Sequence, residues 1–122
     1  MKQNQQDLKQ RTKLFSLRII RLFQSLPKTD EGQIIGKQIL RAGASVGANT
    51  RASFRGRSKK EFIAKLGIVI EEADECLFWM ELLVEAKIIK EEKMRNIMKE
   101  TEELISIFVS INQKQKSKIE TK

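Results

Sequence analysis

Histidine is absent from the 122-residue chain, and so is tyrosine. The first absence removes the commonest general base at neutral pH and the commonest metal ligand. It also excludes the Glu-x-x-His pair of di-iron bundles. A single cysteine, Cys76, leaves no intramolecular disulfide. It falls at a helical core position, where an inert thiol is the expected role. The glycines form no G-x-x-x-x-G-K-[ST] phosphate loop. Glu71, Glu72, Asp74 and Glu75 could in principle hold a hard cation, but a helix fans them around its circumference, which suits a solvated or ion-paired face. No catalytic residue, metal site or cofactor is expected, and a non-enzymatic protein follows. No apolar run approaches the roughly 18–20 residues of a membrane span. The start, MKQNQQDLKQ, lacks the apolar run and cleavage signature of a signal peptide. The default expectation is a soluble cytoplasmic protein without membrane contact, folded as one domain over residues 1–122.

Proline is equally scarce, and that scarcity turns the reading toward what is present. Pro27 is the only one, and long segments repeat apolar residues at three and four positions, so the chain reads as helical almost throughout. Helix one is expected over about 7–26, with Leu8, Phe15, Ile19, Leu22, Phe23 and Leu26 on one face. Leu14, Leu17 and Ile20 form a second, partly apolar face, and Pro27 ends the helix. Helix two, over about 30–54, can be capped by Thr29 or Asp30. Ile35, Ile39, Ala42, Val46 and Thr50 point inward, and Gly36, Gly43 and Gly47 mark a groove for close helix approach. Helix three is expected over about 58–86, opened by the capping box Ser58-Lys-Lys-Glu61. Its core stripe runs from Phe62 to Leu83, and Ile68, Trp79 and Leu82 make a second stripe. Helix four is expected over about 91–112, followed by a frayed basic tail, 113–122. Four such helices with short links give an all-α, antiparallel up-down-up-down bundle. Spare apolar surface on helices one and three favours self-association, with Gly43, Gly47, Ile68, Trp79 and Leu82 as the expected interface.

Charge is the remaining signal. The net charge is +8, but residues 1–57 carry +9 and residues 58–122 carry −1. Lys37, Arg41, Arg51 and Arg55 share one stripe of helix two, separated by Ala44 and Ala48, and Arg57, Lys59 and Lys60 continue it at the helix end. Such a row can neutralise phosphates, with counterion release driving affinity. Phe54 is the only aromatic in this patch, so stacking of single-stranded bases is poorly supported. The competing use is pairing between subunits with Glu71, Glu72, Glu75 or Glu81, since residues 66–86 hold six acids and no base. Spacing alone does not separate these uses.

Leu40-Arg-Ala-Gly-Ala-Ser-Val-Gly-Ala-Asn49 and Arg57-Ser-Lys-Lys-Glu-Phe-Ile-Ala-Lys-Leu-Gly-Ile68 carry a family likeness. With Glu71-Glu-Ala-Asp-Glu75, Phe78-Trp79 and Glu81-Leu-Leu83, they resemble the four-helix-bundle proteins encoded in intervening sequences of bacterial large-subunit ribosomal RNA genes. The likeness spans about Leu14 to Phe108. A sister group is the accessory protein of diversity-generating retroelements, which partners a reverse transcriptase. The resemblance implies a homopentamer of antiparallel bundles with basic surfaces proposed to hold nucleic acid, and no settled activity. One departure is local: Asn49 is followed by Thr50-Arg51-Ala52-Ser53 where many members have an Ile-Ala-Glu-Gly type sequence, so a glutamate gives way to an arginine. Two functions are therefore expected in parallel. One is a non-enzymatic homo-oligomer binding RNA, or less readily DNA, through the basic stripe. The other is a protein-interaction scaffold or reverse-transcriptase accessory subunit, in which that stripe meets acidic helix-three surfaces.

Overall fold

The computed structural model describes residues 2–120, with side chains over 4–119. It contains four helices: α1 (Lys2–Ser25), α2 (Asp30–Phe54), α3 (Lys59–Glu85) and α4 (Glu91–Glu120). No strand occurs among the described residues. Each helix packs on its sequence neighbour, α1 on α2, α2 on α3 and α3 on α4. The result is the expected all-α four-helix bundle.

The helix borders follow local chemistry. Thr29, rather than Asp30, caps α2: its hydroxyl accepts from the Gly32 amide at 3.2 Å. Ser58 does the same for α3, accepting from the Glu61 amide at 3.1 Å. At the other end of α3, Lys87 adopts a left-handed φ of 61°. The Ile88 amide then donates to the Leu83 carbonyl at 2.9 Å and the Lys87 amide to the Val84 carbonyl at 3.0 Å, a Schellman ending. Two ends run longer than expected. α1 begins at Lys2 and α4 continues to Glu120, so residues 113–120 are helical rather than a frayed tail. Their Gln, Lys and Ser content lacks an apolar stripe, yet Gln and Lys are good helix formers. Residues 1, 121 and 122 of the expected domain lie outside the described residues.

Phe15 and Ile19 of α1, Ile39 and Val46 of α2, Leu66, Met80 and Leu83 of α3, and Leu104 and Phe108 of α4 fill the core. Gly36, Gly43 and Gly47 of α2 face α1. A β-carbon at Gly36 would lie 2.8 Å from Leu26 and 2.9 Å from Phe23. At Gly43 it would lie 2.5 Å from Ile19, and at Gly47 2.6 Å from the Ser16 hydroxyl. Ser16 also donates to the Gly43 carbonyl at 2.7 Å, fixing the register of the two helices. The groove read from the sequence therefore exists, but its occupant is the chain's own first helix. Gly43 and Gly47, expected at an oligomer interface, face α1 within the bundle; at Gly43 a side chain would run into the branched Ile19, and at Gly47 into the Ser16 hydroxyl.

Candidate nucleic-acid interface

The basic stripe of α2 forms an exposed ridge: Lys37, Arg41, Ala44, Ala48, Arg51 and Arg55 are all solvent-facing. Its middle is not free. Arg41 spans to α3, with Nη1 3.0 Å from Glu72 Oε2 and Nη2 2.5 Å from Glu75 Oε2. The indole N–H of Trp79 donates to the same Glu75 oxygen at 3.0 Å. The Trp79 hydrogen bond, with the Arg41 contact behind it, holds the Glu75 carboxyl below its ordinary range despite the opposing effect of burial. Arg41 is raised in turn, chiefly by its hydrogen bond to Glu75. Pairing of the stripe with acidic residues thus occurs inside one chain, between adjacent helices. An Arg41 held this way offers less charge to any outside partner than its neighbours do.

The unpaired cations of this stripe and its extension gather mostly at one end. Arg51, Arg55, Arg57, Lys59 and Lys60 are exposed and have no ion-pair partner among the described residues, and the same holds for Lys37 farther along the ridge. The antiparallel topology brings the C-terminal end of α4 to this same end. Residues 51–60 and 113–119 together contain eight Lys and Arg side chains and no acid. The extension of α4, read from the sequence as a tail, therefore adds Lys114 and Lys116 to the positive end.

A groove of about 580 Å³ lies among these cations. Leu8, Phe54, Phe62 and Ile111, one from each helix, line it, with Arg57, Lys59 and Lys114 also on its wall. The Phe54 and Phe62 rings lie 5.8 Å apart at 34°. Phe62 was expected in the core stripe, but it sits one turn into α3 at the end of the bundle and is only half-buried. The patch therefore holds a second aromatic ring. The signal was its position directly after the Ser58 cap, where a core stripe has already reached the end of the molecule.

The expected second stripe of α3 divides. Ile68 is exposed, whereas Trp79 and Leu82 are half-buried and Trp79 packs on the core. Phe78, edge-on to Trp79 at 5.1 Å, is 51% exposed and was not anticipated as a surface residue. On α1, Leu14, Leu17 and Ile20 stand exposed as the second face predicts. Beside them Arg11 grips α4, its Nε 2.8 Å and Nη2 2.7 Å from the two Glu100 carboxylate oxygens, with Glu103 at 2.9 Å. Cys76 is fully buried, and burial together with Glu72 and Glu75 pushes its thiol up to about 12. No helix among the described residues is long and apolar enough to cross a membrane.

Three comparisons bear on this geometry. A family model described as 23S rRNA-intervening sequence protein matches residues 4–110. The chain is similar to the crystal structure of a protein of unknown function from the S23 ribosomal protein family of Bacteroides thetaiotaomicron VPI-5482. The two are 33% identical with a TM-score of 0.83, over 89% of this chain and 97% of the other. No curated protein matches.

Proposed function

The chain belongs to the 23S rRNA-intervening sequence protein family, and from that premise we propose that it binds RNA through the positive end of its bundle. The observation that carries this reading is the set of exposed, unpaired cations at Arg51, Arg55, Arg57, Lys59 and Lys60, continued by Lys114 and Lys116 with no interspersed acid. Asp7 and Glu61 are exposed nearby, but the bases outnumber them, and such a positive excess attracts a polyanion and steers it on approach. Phosphates are the natural partner, and the family's link to ribosomal RNA favours RNA over DNA. Binding should weaken linearly on a log–log salt plot, by about 0.7 per phosphate contact for a single strand. Arg51→Ala with Arg55→Ala should flatten that slope by roughly 1.4 if both residues make such contacts. Filter binding of a generic RNA across a salt series measures it. No salt-dependent binding at or below physiological ionic strength would remove the reading.

Exposed Leu14, Leu17 and Ile20 on α1, and Ile68 and Phe78 on α3, favour a second element: self-association, with the pentamer implied by the family likeness as the specific expectation. A scaffold or reverse-transcriptase accessory subunit is the competing function. It draws support from Glu71, Asp74, Glu81 and Glu85, which remain exposed on α3. Sedimentation of wild type and the Arg51/Arg55 double variant separates the two. A scaffold requires the variant to change assembly, and an RNA binder requires it to change only binding.

A further inference from the structure

A row of cations explains attraction to phosphate but not the apolar groove set among them. Leu8, Phe54, Phe62 and Ile111 would need no opening to solvent if their role were core packing alone. We propose that this groove receives one unstacked RNA base, with an adjoining phosphate held by Arg57 and Lys59. The inference rests on the RNA-binding reading and adds where a base goes.

Three features select that occupant. The wall carries Arg57, Lys59 and Lys114 and no acid, so it selects an anion. Two phenyl rings in the lining select a planar, polarisable group; they pack on each other, so the base lies against a ring rather than between the two. Gln5 and Gln115 also line the groove, and an amide offers both donors and an acceptor to the edge of a base. A nucleotide combines the anion, the plane and the hydrogen-bonding edge. The volume of about 580 Å³ suits a small ligand and admits no duplex. A base must therefore leave its stack to enter. Unpaired loops and bulges offer such bases, whereas a fully paired A-form helix presents only backbone and groove edges. The sequence alone argued against stacking because Phe62 was assigned to the core; its position beside Phe54 reverses that argument.

The test uses two RNA duplexes, one fully paired and one identical except for a single-nucleotide bulge. Fluorescence anisotropy at fixed salt should show the bulged duplex binding about tenfold more tightly to the wild-type protein. Phe54→Ala and Phe62→Leu should each bring that ratio toward one while leaving the salt slope unchanged. Phe62→Trp, which keeps a ring in place, should preserve the ratio. Arg51→Ala with Arg55→Ala should do the opposite of the phenylalanine variants, flattening the slope and keeping the ratio. Should Phe62→Leu fail to fold, Phe54→Ala at the end of α2 carries the test. Equal affinity for the two duplexes, with normal salt dependence, overturns the groove proposal alone. A preference that survives Phe54→Ala and Phe62→Leu also overturns it. Absence of binding to either duplex overturns both this proposal and the RNA reading beneath it.

Discussion

Replacing Gly43 by alanine should destabilise the protein, although alanine is the better helix former. In a solvated helix the exchange gains about 1 kcal/mol. Here the new methyl would lie 2.5, 2.7 and 2.8 Å from Cγ2, Cγ1 and Cβ of Ile19. Ile19 is fully buried and, being β-branched, has little freedom to rotate away. α1 must retreat, which strains the 2.7 Å bond from Ser16 to the Gly43 carbonyl and loosens the core contacts of Phe15 and Ile19. Overpacking of this kind costs about 1–3 kcal/mol, and three simultaneous contacts point to the upper end. The net loss should be about 1–2 kcal/mol, or roughly 4–8 °C in Tm at about 4 °C per kcal/mol. Gly67 supplies the control. It lies inside α3 with nothing within 4 Å of a built β-carbon, so Gly67→Ala should raise Tm by up to about 4 °C. Thermal melts followed by circular dichroism read both. In an Ile19→Ala background the Gly43→Ala penalty should largely vanish, because the clashing atoms are gone. A Gly43→Ala protein melting at or above wild type would refute the close approach of α1 and α2.

Three further outcomes follow from the local geometry. Glu75 is held below its ordinary carboxyl range, so its contribution is present above about pH 4.3 and is lost as pH falls through the lower folded value. The stability gap between wild type and Glu75→Gln should therefore be open at pH 7 and narrow as pH falls below about 4.3, and a gap independent of pH would contradict the Trp79 and Arg41 contacts. Lys87→Gly should stabilise by about 1 kcal/mol in chemical denaturation, since glycine adopts the left-handed φ without a β-carbon penalty; a loss of stability would refute the Schellman assignment. Cys76, buried and pushed up to about 12, should react with iodoacetamide far more slowly in the native protein at pH 8 than in denaturant, and labelling at equal rates would show the thiol to be accessible.

What could be read from the sequence depended on whether the signal was local. Thr29, Pro27 and Ser58 act on amides and carbonyls within a turn, so α2 matched its expected bounds and α3 came within a residue at each end. The apolar stripes likewise named the core, since burial of Ile39, Val46, Leu66 and Met80 depends only on helical phase. The site was harder because it is made of residues from four helices. Leu8, Phe54, Phe62 and Ile111 meet only after the ends of the bundle align. The ion pairs of Arg41 required the rotation of α2 against α3, which spacing within α2 does not contain. The glycines announced close approach but not by which helix, because a missing side chain carries no information about its visitor. Polar α4 residues beyond Asn112 gave no periodic signal at all, and the place of Lys114 on the groove wall was missed with them.

The grip of Arg11 on Glu100 and Glu103 has a consequence for how the molecule assembles and opens. Every other helix contact in the ring joins neighbours across links of four or five residues, at 26–29, 55–58 and 86–90. Contacts of that kind close small loops at little entropic cost, and bundles made of them fold within microseconds to milliseconds. Arg11 and Glu100 lie 89 positions apart, so the α1–α4 seam closes only when three hairpins have already stacked. No covalent link spans it, and a guanidinium fork joins its two sides. In native-state hydrogen exchange the amides bordering that seam should open with the lowest free energy, ahead of the α2–α3 pair at the centre of the chain. The bundle thus unrolls from its two outer helices inward.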